Sequence, residues 1–159
     1  MACAASLAVL DVIEKENLLE NIRIQGAYLG RKIQLDFILF MISSERLLLH
    51  GLTGNARAAP FVFDIRGGGG FWAIEFDFST SQADFKGAAF ALLVEARAML
   101  NGMIVMGMTP AHLESDSDGE KGGHIILSPA FNITKEEVET IAKLLILTVE
   151  EVLDNYNVH

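Results

Sequence analysis

Apolar positions follow different rhythms in different parts of the chain, and each rhythm predicts a different element. Near the C-terminus Val138, Ile141, Leu145, Val149 and Val152 recur at helical spacing, which predicts one amphipathic helix ending near Asn155. Its start is marked twice. Thr134 and Glu137 have capping-box spacing, and Ile133 and Val138 occupy the staple positions around that cap. Residues 86–101 show the same period through Phe90, Leu93, Val94, Arg97 and Leu100, with Asn101-Gly102 as the stop. Residues 2–13 have high helix propensity. A second helix is expected to restart at Asn17 as N-cap with Glu20 at its third position, burying Leu18, Leu19, Ile22, Ala27 and Leu29 and running into Arg31 and Lys32.

Elsewhere the helical period is lost. Residues 61–78 read FVFDIRGGGGFWAIEFDF, two runs of β-forming residues on either side of four glycines. A phosphate cradle needs a helix after such glycines, so that free N–H groups face the anion. Phe71, Trp72, Ala73, Ile74 and Glu75 instead continue a strand, and neither a Walker Lys-Ser/Thr nor a spaced G-x-G-x-x-G is present. The segment is therefore read as a hairpin. Short strands are expected at 103–106 and 124–127, separated by an acidic loop over 109–123. Residues 34–49 are apolar at nearly every position, and periodicity does not separate a buried strand from a buried helix there. Helix, helix, hairpin, helix, strand, strand, helix implies an α/β fold of the α+β small-domain type. It would hold a small, mainly antiparallel sheet covered by helices.

Composition narrows the function classes. The 159 residues suffice for one domain with a real core, and 51% hydrophobic against 21% charged residues makes disorder a poor description. A net charge of −9 argues against nucleic acid, which draws on clustered Lys and Arg. No membrane is expected either, because the longest apolar run, residues 37–42, falls far short of the ~20 residues that a spanning helix needs. Cys3 is the single cysteine, so no internal disulfide can form. That residue and the absence of a basic leader favour an intracellular, cytoplasmic setting.

Candidate chemistry is sparse. Glu114, Asp116, Asp118 and Gly119 mimic the first positions of a calcium loop, but position twelve is Ile125 and the flanks read as strands. His50, His112, His124 and His159 show no metal-ligand spacing. His124, closing a long loop, is read as a hydrogen-bonded strand residue. Ser128 precedes Pro129 without a nucleophile elbow around it. Arg66 would suit a carboxylate, and Trp72 would suit a stacked ligand; an ion-pair role and a core role are the plainer readings. No residue is assigned as catalytic, cofactor-binding or metal-ligating.

Three of these segments together resemble the C-terminal small domain of class III (omega-type) pyridoxal-phosphate aminotransferases. ACAASLAVLDVIEKENLLENIRIQGAYL is similar to the helix pair that follows the family's Thr-x-x-x-His-Pro neighbourhood. FDIRGGGGFWAIEF resembles the family hairpin, and GGHIILSPAFNITKEEVETI its final strand, proline bend and last helix. Residues 1–159 are accordingly expected to form a single small domain, with 34–49 as an atypical apolar segment. A retained intron or misjoined exon would account for that segment and for the uncapped start.

The resemblance implies that the Schiff-base lysine, the aspartate on the pyridine nitrogen, the stacking aromatic and the phosphate-binding residues belong to a large domain upstream of these segments. No lysine of this chain is assigned that role. Pyridoxal phosphate is expected in the complete family and not on this chain alone. Two departures stand out: Gly122-Gly123-His124 replaces the usual Gly-Asp-His, and Pro129-Ala130 replaces Pro-Pro. Residues 107–123 also lack the arginine that meets a substrate carboxylate in other subgroups. The expected function is that of a fragment or truncated form of an aminotransferase, inactive alone. The alternative is a noncatalytic module that docks on an aminotransferase subunit or on itself, since family members are dimers.

Overall fold

A computed structural model describes residues 2–38, 59–81, 83–109 and 123–158. The elements are α1 (Ala2–Lys15), α2 (Leu18–Ile38), a 3-10 turn (Ala59–Phe61), β1 (Val62–Gly68), β2 (Phe71–Phe76), α3 (Phe90–Leu100), β3 (Met106–Met108), β4 (Gly123–Leu127) and α4 (Lys135–Asn155). The strands form one antiparallel sheet in the order β1-β2-β4-β3. The expected element order and α+β small-domain architecture are therefore observed.

Alternation along the strands sets the two faces of the sheet. Ile65, Ile74 and Ile125 lie opposite one another in register and are buried, as are Phe76 and Leu127. This is the face that the helices cover. α2 packs on β1, α3 packs on β3 and β4, and α4 lies against both α2 and α3. Helix α4 buries Val138, Leu145, Val149 and Val152 as its spacing predicted, along with Ala142 and Leu153. Its capping box is complete: Thr134 N–H donates to Glu137 Oε2 at 2.8 Å, and Glu137 N–H donates to Thr134 Oγ1 at 3.2 Å.

Several boundaries differ from the expectation, each for a local reason. α2 does restart directly after Asn17, whose carbonyl accepts from Asn21 N–H at 3.1 Å, but Asn17 is left-handed at φ 50° rather than extended, and its own N–H donates to the Glu14 carbonyl at 3.2 Å, closing α1. Glu20 consequently turns to Arg23 rather than back to Asn17, with contacts of 2.6 and 2.7 Å. α2 continues through Lys32 to Ile38, so residues 34–38 of the apolar segment are helical, and residues 39–49 lie outside the described residues. Its buried face is Ile22, Gly26, Leu29, Gly30, Ile33 and Phe37, while Leu19 and Ala27 are exposed. α3 begins at Phe90 rather than Lys86 because Lys86 and Gly87 take φ of 55° and 79°, a left-handed pair that no helix accommodates. The strand expected at 103–106 is shifted to Met106–Met108, where it pairs with β4.

A phenylalanine cluster fills the space beneath α3. Phe78 stacks on Phe61 at 4.7 Å and meets Phe85 at 4.8 Å and Phe90 at 4.7 Å. Two of these rings, Phe78 and Phe85, flank a polar connection rather than lying in a strand or helix. The connection is thus pinned at both ends by the core.

Polar bonds tie the helices together. Asn21 Nδ2 donates to the carbonyls of Phe131 (2.8 Å) and Ile133 (3.0 Å), and Tyr28 Oη donates to Glu139 Oε1 at 3.1 Å. This seam joins α2 to the entry of α4. On the other side Glu151 Oε2 accepts from Arg97 Nε at 2.7 Å and from Asn101 Nδ2 at 2.8 Å. Those two bonds, Arg97 first, hold the Glu151 carboxyl below its ordinary value of 4.5. Because the folded value is the lower one, the stabilisation is complete above the unfolded value and is lost as pH falls through the folded one. Glu151→Gln is expected to flatten the acid limb of the stability curve below about pH 4.5 and to leave its neutral-to-alkaline shape unchanged, as read by urea midpoints across pH.

Candidate functional site

The glycine-rich hairpin is built as a docking element rather than as a cradle. β1 and β2 pair up to Gly68 and Phe71, leaving Gly69 and Gly70 as a two-residue turn with Gly69 at φ 53°. No helix follows, so the geometry of phosphate binding is missing. The turn presses against α2 instead. A Cβ on Gly26 would lie 1.8 Å from the Gly69 carbonyl oxygen, and one on Gly30 would lie 2.0 Å from the Trp72 ring. Trp72 Nε1 donates to the carbonyls of Gly26 (2.9 Å) and Gly69 (3.1 Å). Gly26 and Gly30, four apart on one helix face, thus form a notch for the turn and the indole. Trp72 is committed to that notch and offers no free ring for a ligand. The signal for this contact lay in the Gly-x-x-x-Gly spacing, which the reading of the sequence did not use.

The sheet face opposite the helices carries Asp64 and Arg66 on β1, Glu75 on β2, and His124 and Ile126 on β4. Arg66 Nη1 bonds Asp64 Oδ2 at 3.0 Å and also bonds Glu75 Oε2. Its pKa is raised above the ordinary guanidinium value, chiefly by the bond to Glu75 and then by that to Asp64. With both carboxylates already on it, Arg66 is an ion-pair residue here and not a free receptor for a substrate carboxylate. His124 stands opposite Glu75 and Met108 in register. Ser128 is exposed just beyond β4.

Among the described residues, no group of three His, Cys, Asp or Glu is placed to hold a metal ion. Glu114, Asp116, Asp118, Gly119, His50, His112 and His159 lie outside the described residues. No described helix is long and apolar enough to cross a membrane. One groove of about 400 Å³ opens between the turn after α3, the bend after β4 and the first half of α4. Met103, Ile104, Pro129, Ile133, Ile141 and Leu144 form its apolar wall, and Glu137 at its edge is engaged in the capping box. No Lys or Arg lines it.

No family model matches the chain. Individual proteins do. An aminotransferase of Gibberella zeae is 31% identical over 143 residues, which is 89% of this chain and 24% of that protein. An uncharacterized aminotransferase of Schizosaccharomyces pombe is 26% identical over 155 residues, 94% of this chain and 28% of that protein. The chain is similar to aminotransferases. It spans about a quarter of the length of the curated relatives that it matches.

Solved structures agree with that placement. A transaminase obtained by ancestral reconstruction superposes with a TM-score of 0.67 at 28% identity, over 96% of this chain and 27% of its own. An aminotransferase of Bacillus anthracis gives a TM-score of 0.65 at 25% identity, over 94% and 28%. The similarity to aminotransferases thus extends over nearly the whole chain while covering a minor part of each relative.

Proposed function

We propose that this chain is the small-domain portion of a class III, pyridoxal-phosphate-dependent aminotransferase and that it is catalytically silent on its own. The observation that carries the reading is the match along almost the full chain to about a quarter of aminotransferases and transaminases. The complete protein would transfer an amino group between an amine or amino acid and an oxo acid, with the cofactor supplying the electron sink.

The described residues do not fit that cofactor. Lys15 and Lys32 are paired with Asp11 and Asp36, Lys135 lies over the Tyr28 ring, and Lys86 and Lys143 are exposed. The groove beside α4 holds no basic residue, and the glycine turn leads into a strand. Nothing described combines a lysine in a cavity with a cradle for a phosphate, so no step of the reaction is routed through this chain. Its contribution within a complete protein would be a wall: a sheet face and a hairpin held rigidly by α2.

Purified chain titrated with pyridoxal phosphate is expected to give the sum of the two separate absorbance spectra and no transamination of an amine donor. A new visible band that persists through desalting, together with turnover, would overturn the claim of inactivity.

A further inference from the structure

Asn101 is the only asparagine in the chain that is followed by glycine. Such a pair is chemically labile, because the backbone nitrogen after an asparagine can attack the side-chain amide carbon, and glycine, with no Cβ, hinders that approach least. The fold nevertheless requires glycine here. Gly102 N–H donates to the Met99 carbonyl at 3.2 Å and Met103 N–H to the Ala98 carbonyl at 2.9 Å, with Gly102 at φ 82°, which is the Schellman close of α3. A side chain at that φ would be strained.

The same fold holds the labile pair apart. Asn101 Nδ2 donates to Oγ1 of fully buried Thr148 at 3.0 Å and to Glu151 Oε2 at 2.8 Å, so both of its hydrogens are engaged on α4. At φ −83° and ψ 4° the Gly102 nitrogen eclipses the backbone nitrogen of Asn101, whereas attack on the side chain needs it beside Cβ. Ring closure must therefore break the Gly102 bond to Met99 and carry the amide off Thr148 and Glu151. The end of α3 has to come away from α4 first.

We propose that Asn101-Gly102 is a self-modification site that the folded chain keeps shut, so that deamidation marks copies in which the end of α3 has parted from α4 and hinders them from closing again. In this step the Gly102 nitrogen loses its proton to solvent and bonds to Asn101 Cγ, while the Cγ–Nδ2 bond breaks and Nδ2 takes up a proton and leaves as ammonia. The resulting cyclic imide then adds water. Opening at Cγ gives aspartate, and opening at the main-chain carbonyl gives isoaspartate, whose backbone runs through Cβ and Cγ and is one carbon longer. The chemistry is independent of any transaminase activity.

Neither product suits the closed seam. An aspartate at this position replaces the donor to Glu151 by an acceptor, and the Glu151 carboxyl is held below its ordinary value by Arg97 first and by Asn101 second, so two carboxylates meet where an amide bridged. Isoaspartate moves Gly102 and Met103 out of register with the carbonyls of Met99 and Ala98.

The test measures the rate and then the product. The purified chain, the chain unfolded in guanidinium chloride and a short peptide of residues 98–104 are incubated at the same neutral pH and analysed by peptide mapping with mass spectrometry. The unfolded chain and the peptide are expected to deamidate at Asn101 at similar rates, and the folded chain about tenfold or more slowly. Equal or faster reaction in the folded chain would overturn the proposal, as would an unfolded chain that reacts first at another asparagine. Asn101→Asp then stands in for the product. Its ratio of unfolded to folded chain, read from urea unfolding, is expected to rise about tenfold, and to rise clearly less in a Glu151→Gln background, where a neutral amide can donate to the new carboxylate. A wild-type midpoint for Asn101→Asp, or an equal loss in both backgrounds, sinks the claim that the product resists closing. If Asn101→Asp does not fold at all, adding Glu151→Gln has to restore folding, and failure to do so counts against the proposal in the same way.

Discussion

Phe78→Ala is expected to lower the free energy of unfolding by about 3–5 kcal/mol, a large share of the stability of a domain this size. The ring is nearly fully buried and touches Phe61, Phe85 and Phe90, so its removal strips a partner from three other aromatics at once. Those neighbours come from the 3-10 turn, the connection before α3 and α3 itself, and no single element can move to refill the space. Phe78→Leu retains much of the volume and should recover more than half of the loss. Equilibrium urea unfolding of the three proteins decides the matter; equal midpoints for Phe78→Ala and wild type would show that the cluster is not a support.

Gly26→Ala ranks second, with an expected cost of about 1–3 kcal/mol from overpacking. The added methyl would sit 1.8 Å from the Gly69 carbonyl oxygen, which is backbone and cannot swing aside. On helix propensity alone the substitution would stabilise, since alanine is favoured over glycine by about 1 kcal/mol. The two contributions have opposite signs, so the measured sign identifies the winner. Thermal or urea denaturation showing a gain in stability would mean that the hairpin does not press on α2. Trp72 supplies a second readout: loss of its bond to the Gly26 carbonyl should shift its fluorescence towards that of a solvated indole.

Much of this architecture was legible in the residues. The capping box at Thr134 and Glu137 and the stripe after it placed α4 because both signals are local, confined to neighbouring turns of one helix. The hairpin was legible because bulky β-formers on both sides of the glycines left the backbone few alternatives. What was missed depends on distant partners or on backbone sign. Lys86 and Gly87 read as helical by composition, and only their left-handed conformation moves the start of α3 to Phe90. Asn17 does mark the restart of α2, but its left-handed backbone also closes the previous helix and so excludes the capping box with Glu20, because one residue type suits both positions. Leu19 was assigned to a buried face that lies elsewhere, since glycines rather than leucines make the closest contact of α2.

The candidate site was legible in a different sense. Arg66 and Trp72 stood out as residues able to meet a ligand, and an ion-pair role and a core role were set beside them. The carboxylates of Asp64 and Glu75 and the notch on α2 decided in favour of those plainer roles. Register supplied what spacing did not: Asp64 and Glu75 are eleven positions apart in sequence and directly opposite in the sheet.

The seam between α2 and α4 has a consequence for how the chain acquires its structure. Its hydrogen bonds join residues 110 to 112 positions apart, from Asn21 to Phe131 and Ile133 and from Tyr28 to Glu139. Contacts of such long span require a large loop to close before they return any stabilisation, which slows folding. Until α4 is synthesised, the faces of α2 and α3 that it covers have no cover. The core of these elements therefore stays unfinished until α4 emerges from the ribosome, because that helix is the piece that closes it.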